Sequence, residues 1–251
     1  MARRWLGPLL FALVLSAATA ASAQDVGFPK ITIDPSGKGD STQQTTAAIQ
    51  IVAILTVLSV APAILLMVTS FGRIIIVPSL LRQAIGVQQM PPNQVLIGLS
   101  LFLTFLVMAP VAEDIRKSAW EPYAAKRIDQ TEALTRAMSP LRDFMLRQAR
   151  ETDVALMASL AKLPAPRTPA DLPTHVVIPA FALSEIRTAF QIGFVLFIPF
   201  LIIDMVVSSV LMSMGMMMLP PVLISLPFKL LLFVLADGWH LVVRALVAGF
   251  R

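Results

Sequence analysis

The chain has no cysteine, two histidines and one tyrosine among its 251 residues. Without cysteine there is no disulfide framework, no thiolate metal site and no thiol nucleophile, so the redox poise of a compartment neither helps nor harms the fold. His175 and His240 are far apart, and no His, Asp or Glu cluster has the spacing of metal ligands. A phosphate loop is also missing: around Lys38 the required first glycine is replaced by Thr32, and Gly39 follows where Ser or Thr is needed. Gly37-Lys38-Gly39-Asp40 matches the Gly-x-Gly-Asp of intramembrane aspartyl proteases, but it lies outside any apolar run. Neither an enzyme nor a cofactor is expected. Charge is scarce as well, 14% of residues, and the basic side chains are scattered, with no stripe for nucleic acid.

Apolar sequence takes the place of all this. At 57% hydrophobic residues and a mean hydropathy of +0.78, the chain exceeds the roughly 45–50% of a soluble domain, which implies an all-α integral membrane protein. Residues 1–23 read as a signal peptide: Arg3 and Arg4, a short apolar run, then Ala21-Ser22-Ala23 before Gln24. Its removal would lower the net charge from +5 by two. Residues 24–46 are a polar extracytoplasmic tail. Ala47–Thr69 is apolar throughout and long enough to span a bilayer, with Pro62 as a candidate kink. The connector Ser70–Asn93 carries Arg73 and Arg82 and no acid, so the positive-inside rule makes it cytoplasmic. Val95–Ala112 is the returning span, and residues 47–112 form a first helical hairpin.

Residues 113–178 change character, to a densely charged helical insert that hairpin counting places outside the cytoplasm. Ser139-Pro140 has the form of a cap and first-turn proline, and Leu141, Phe144, Met145, Leu156 and Leu160 approximate one apolar face. Pro164–Pro173 is a stiff linker followed by a surface His175. Residues 179–251 form a second hairpin, with Ala189–Leu211 and Val222–Val247 as its arms and Ser184-Glu185 as a helix start. Its turn, Met214-Gly215-Met216-Met217-Met218-Leu219-Pro220-Pro221, is apolar where a water-facing turn is polar, so it must be covered or must line something. Asp204 and Lys229 are equally far from the middle of that turn, so antiparallel arms bring them to one height. Each ionisable group in an apolar span costs roughly 2.5–3.5 kcal/mol, so partners are needed. The pair serves either register and assembly or transport; Asp237 and Glu185 are further charges of this hairpin.

Two blocks of sequence resemble the FliP family of the flagellar type III export gate. The first comprises Ser70-Phe71, Arg73, Leu81-Arg82-Gln83-Ala84, Gly86, Gln88-Gln89 and Pro91-Pro92-Asn93, continuing to Leu101–Thr104. The second comprises Ser184-Glu185, Ala189-Phe190, Gly193-Phe194, Pro199-Phe200, Ile203-Asp204, the methionine run, Pro220-Pro221, Pro227-Phe228-Lys229 and Asp237-Gly238-Trp239. The resemblance implies a non-catalytic subunit of a protein-conducting pore in the bacterial inner membrane, at the flagellar basal body. It implies a homopentamer assembled with FliQ and FliR, working beside FlhA and FlhB, that passes unfolded export substrates. It further implies that Gly215 and Met216, Met217 and Met218 form a gasket narrowing the pore, and that the helical assembly is lifted largely out of the bilayer plane. The competing reading is a subunit of a small-solute transporter or channel, which predicts polar groups converging at mid-membrane.

Overall fold

A computed structural model describes residues 41–87, 90–163, 168, 171–216 and 218–250. The expected signal peptide, most of the tail, Gln88, Gln89 and Met217 lie outside the described residues. The described residues divide between Leu58 and Ser59 into two units. Helix α1 (Ser41–Val68) runs unbroken through Pro62. In the first unit Ile49, Val52, Ile54, Leu55 and Leu58 are all exposed. At 3.6 residues per turn these five positions spread around the helix and do not fall on one stripe, so this stretch is apolar all round.

In the second unit the expected connector is a helix. Its sequence Phe71-Gly-Arg-Ile-Ile-Ile-Val-Pro-Ser-Leu-Leu-Arg-Gln-Ala-Ile85 forms α2, with Phe71, Ile74, Val77, Leu81, Ala84 and Ile85 buried at helical spacing. This stripe packs along α7, the 40-residue helix Thr174–Ser213. The two helices run in the same direction, since Arg73 meets Glu185 and, further along both, Leu80 lies against Gly193. Helix α3 (Asn93–Ile115) then returns beside α2, so the hairpin formed here is α2–α3. One end of α2 therefore carries Arg73 and the other Arg82, about 14 Å apart at 1.5 Å per residue.

A π-helical turn, Arg116–Trp120, leads into α4 (Glu121–Ala124), α5 (Gln130–Gln148) and α6 (Glu151–Leu160), which make up the insert. The start of α5 differs from expectation. Asp129, in extended conformation, accepts the Glu132 backbone N–H at 2.7 Å and caps the helix, while Ser139-Pro140 sits inside it. An aspartate with a glutamate three residues on is the stronger capping signal. Phe144 and Met145 are buried as expected, but Leu156 and Leu160 face outward and Ala158 and Asp153 face inward. The insert core joins Phe144, Met145 and Ala158 to Val68, Val111, Val176, Val177 and Phe181.

Helix α7 begins ten residues before Ser184-Glu185, after Pro173, and His175 is an exposed residue of its first turn. Proline's fixed φ favours such a start, and the internal Pro179 and Pro199 do not stop the helix. At about 60 Å it is twice the thickness of a hydrocarbon core. The second arm is broken: α8 (Pro221–Leu235) and α9 (Gly238–Ala248) meet at a 62° bend. A second core of Val77, Leu81, Ala189, Phe200, Phe233, Val242 and Leu246 joins α2, α7, α8 and α9. The described residues are helical without strands, and three helices, or four spans if the bent pair counts as one, are long and apolar enough to cross a membrane.

Candidate functional site

The tip of the α7–α8 hairpin is closed by backbone geometry. Gly215 adopts φ +74, the Met216 N–H reaches Leu211 O at 3.0 Å, and the Gly215 N–H reaches Met212 O at 3.1 Å. This is a Schellman C-cap, whose left-handed position favours glycine. A side chain at Gly215 would find open space, so the requirement is conformational. The methionines point away from the chain's own core: Met214 is 65% exposed and Met218 99%. Met216 is 40% exposed. Packing inside a hairpin core is therefore not what these side chains do in the protomer.

Two to three helical turns in from the tip, the structure brings Asp204 and Lys229 together. Lys229 Nζ lies 2.6 Å from Asp204 Oδ2 and donates to Ala84 O at 3.2 Å, and the Ser225 hydroxyl donates to Asp204 Oδ1 at 2.6 Å. Lys229 is buried, while a third of the Asp204 side chain is exposed. The cluster thus ties α8 to α7 and to the end of α2. Ser225 and the Ala84 carbonyl escaped the sequence reading. Ser225 could have been found, because it sits four residues before Lys229 on the same helical face.

Glu185 belongs to a second cluster, at the other end of α2. It pairs with Arg73, and both side chains are 3% exposed. The guanidinium also donates to Gln148 Oε1 at 3.3 Å and to Gly249 O at 2.9 Å. Beside it, the Ser184 hydroxyl accepts the Arg150 N–H at 2.9 Å and donates to buried Asp153 at 2.8 Å, and Asp153 is held by Arg187 at 3.1 Å. Ser184 is thus a mid-helix bridge to α6 rather than a cap. Asp237 joins neither cluster: its side chain is 77% exposed at the α8–α9 bend, 3.7 Å from His240.

The recess between α2 and α7, about 310 Å³, is lined by Leu80, Phe190, Gly193, Phe194, Phe197, Ile198, Leu201 and Ile202, with no ionisable group. The buried charges lie in pairs within the protomer instead.

Residues 54–246 match the model of the FliP family. The flagellar biosynthetic protein FliP of Bacillus subtilis (strain 168) is 54% identical over 208 residues, covering 83% of this chain and 94% of that protein. The protein of the same name from Pectobacterium carotovorum is 54% identical over 222 residues, covering 88% and 85%. That from Caulobacter vibrioides is 50% identical over 246 residues, covering 98% and 89%. With the described helices, the two sequence blocks and relatives matched over nearly their whole length, the chain belongs to the FliP family.

Proposed function

We propose that this protein is a core subunit of the flagellar type III protein export gate, which forms with partner subunits the pore that passes unfolded flagellar proteins across the inner membrane. The observation that carries the reading is the methionine tip: an apolar hairpin turn whose side chains find little cover in their own chain, Met218 being 99% exposed. Exposed apolar surface of this extent belongs at an interface or against lipid. Methionine is flexible and polarisable, so a ring of such tips from several copies can seal against itself and still deform around substrates of varied shape. FliQ, FliR, FlhA and FlhB are the partners, and a homopentamer at the flagellar basal body is the assembly, as family membership suggests. Within it, the Asp204–Lys229 pair fixes the tip relative to α2.

A small-solute transporter is less well supported. It needs convergent polar groups facing a cavity, whereas the recess between the apolar helices is lined by Leu80, Phe190 and their neighbours, and Arg73, Glu185, Asp204 and Lys229 are paired. A photoreactive amino acid at Met218 in the assembled complex tests the reading. An export substrate stalled in transit by a folded domain should be captured from this position and not from exposed Glu151 on the insert. Equal capture at both positions, or none at Met218, contradicts it.

A further inference from the structure

Gly249 and Phe250, which follow α9, are held by several contacts at once. Helix α9 follows a 62° bend at which Asp237 adopts φ +48, a left-handed conformation that costs a non-glycine residue energy. Beyond the bend, Val242 and Leu246 are the large apolar side chains α9 buries, in the core shared with α2 and α7. At its far end Arg73 donates to Gly249 O at 2.9 Å, and its guanidinium carbon lies 3.9 Å from the centroid of the Phe250 ring. That ring stacks on Phe144 of α5 at 6.4 Å. One buried cation thus holds the end of the chain while pairing with Glu185 of α7 and bonding Gln148 of α5. A strained bend at one end, a narrow buried strip between and a single grip at the other are the parts of a strap.

We propose that α9 is a strap, hinged at Asp237 and latched by Arg73 on Gly249 and Phe250, that opens and closes over the α2–α7 core. Phe250 is the positioning residue of the latch: it acts through Arg73 and Phe144 and leaves the Arg73–Glu185 pair intact when changed. The inference does not depend on the export reading.

The absence of native cysteine allows a direct test on the purified full chain. A single cysteine is introduced as Leu246→Cys, under the strap, or as Ser100→Cys, a buried position on α3, and its reaction with a water-soluble maleimide is timed. Removing the cation–π grip with Phe250→Ala should speed labelling at position 246 by about tenfold while labelling at position 100 stays within about twofold. Phe250→Leu keeps the apolar packing and the Arg73–Glu185 pair and should give a smaller increase in the same direction. If Phe250→Ala does not accumulate, Phe250→Leu carries the test. An unchanged rate at position 246 overturns the latch, and so does a parallel rise at position 100, which would mean general loosening.

Discussion

The two ends of helix α7 are built on opposite principles. At the insert end, Ser184, Glu185 and Arg187 each find partners on α2 or α6, and the flanking Val176, Val177 and Phe181 are buried. At the tip end, Met205, Val206, Val210, Met212 and Met214 are exposed, and the hairpin closes on Met216 and Met218. The chain satisfies one end internally, a scaffold end, and leaves the other uncovered; under the proposed function that second end is where assembly occurs. The cost of leaving large apolar side chains in water, roughly 25 cal/mol per Å², is recovered when other chains or lipid cover them.

The comparison is broken most severely at the scaffold end. Glu185→Gln leaves the Arg73 guanidinium buried without a counter-charge, a loss of about 3–5 kcal/mol. The expected result is little monodisperse protein on size-exclusion chromatography after detergent extraction. Near-normal yield would show that the insert end is not self-supporting. Lys229→Ala should cost less, about 1–3 kcal/mol, because Asp204 is partly exposed and keeps the Ser225 hydroxyl. The swapped pair Asp204→Lys with Lys229→Asp should recover part of the assembled complex, and a double variant no better than either single one removes the pairing from the account. At the low end, Arg136→Ala breaks an exposed i,i+4 contact to Glu132. It should change the unfolding midpoint by the equivalent of about 0.3–0.5 kcal/mol, which sharpens the contrast between solvated and buried charge on the same insert.

How far the sequence revealed these ends follows from the range of the interactions. Asp204 and Lys229 were legible because a hairpin turn sets antiparallel register, so counting from Gly215–Met218 is enough to pair them. The methionine tip was legible because its composition contradicts turn chemistry. Arg73 was misread. A basic residue in a connector suggests a cytoplasmic loop, and the period of Phe71, Ile74, Val77, Leu81 and Ile85 that makes α2 a buried helix gives no hint that its partners are Gln148, Glu185 and Gly249, up to 176 residues away. Local propensity predicts a helix start at Ser184-Glu185, whereas the structure places Ser184 inside α7 as a bridge to α6. The bend at Asp237 was hidden for a similar reason: Val222–Val247 is apolar enough to pass for one span, and only the left-handed backbone at Asp237 divides it.

The central claim is that the tip is an assembly surface lining a pore and not part of a core, and it is tested by replacing Met216, Met217 and Met218 together with Ala. A buried methionine truncated to Ala loses roughly 2–5 kcal/mol, whereas the exposure of Met216 and Met218 implies a change in protomer stability within about 0.5 kcal/mol. Complex yield and ionic conductance of the complex reconstituted in planar bilayers are then read from the same preparation. The account predicts unchanged yield with a raised leak. Lost yield, or intact yield without a leak, contradicts it.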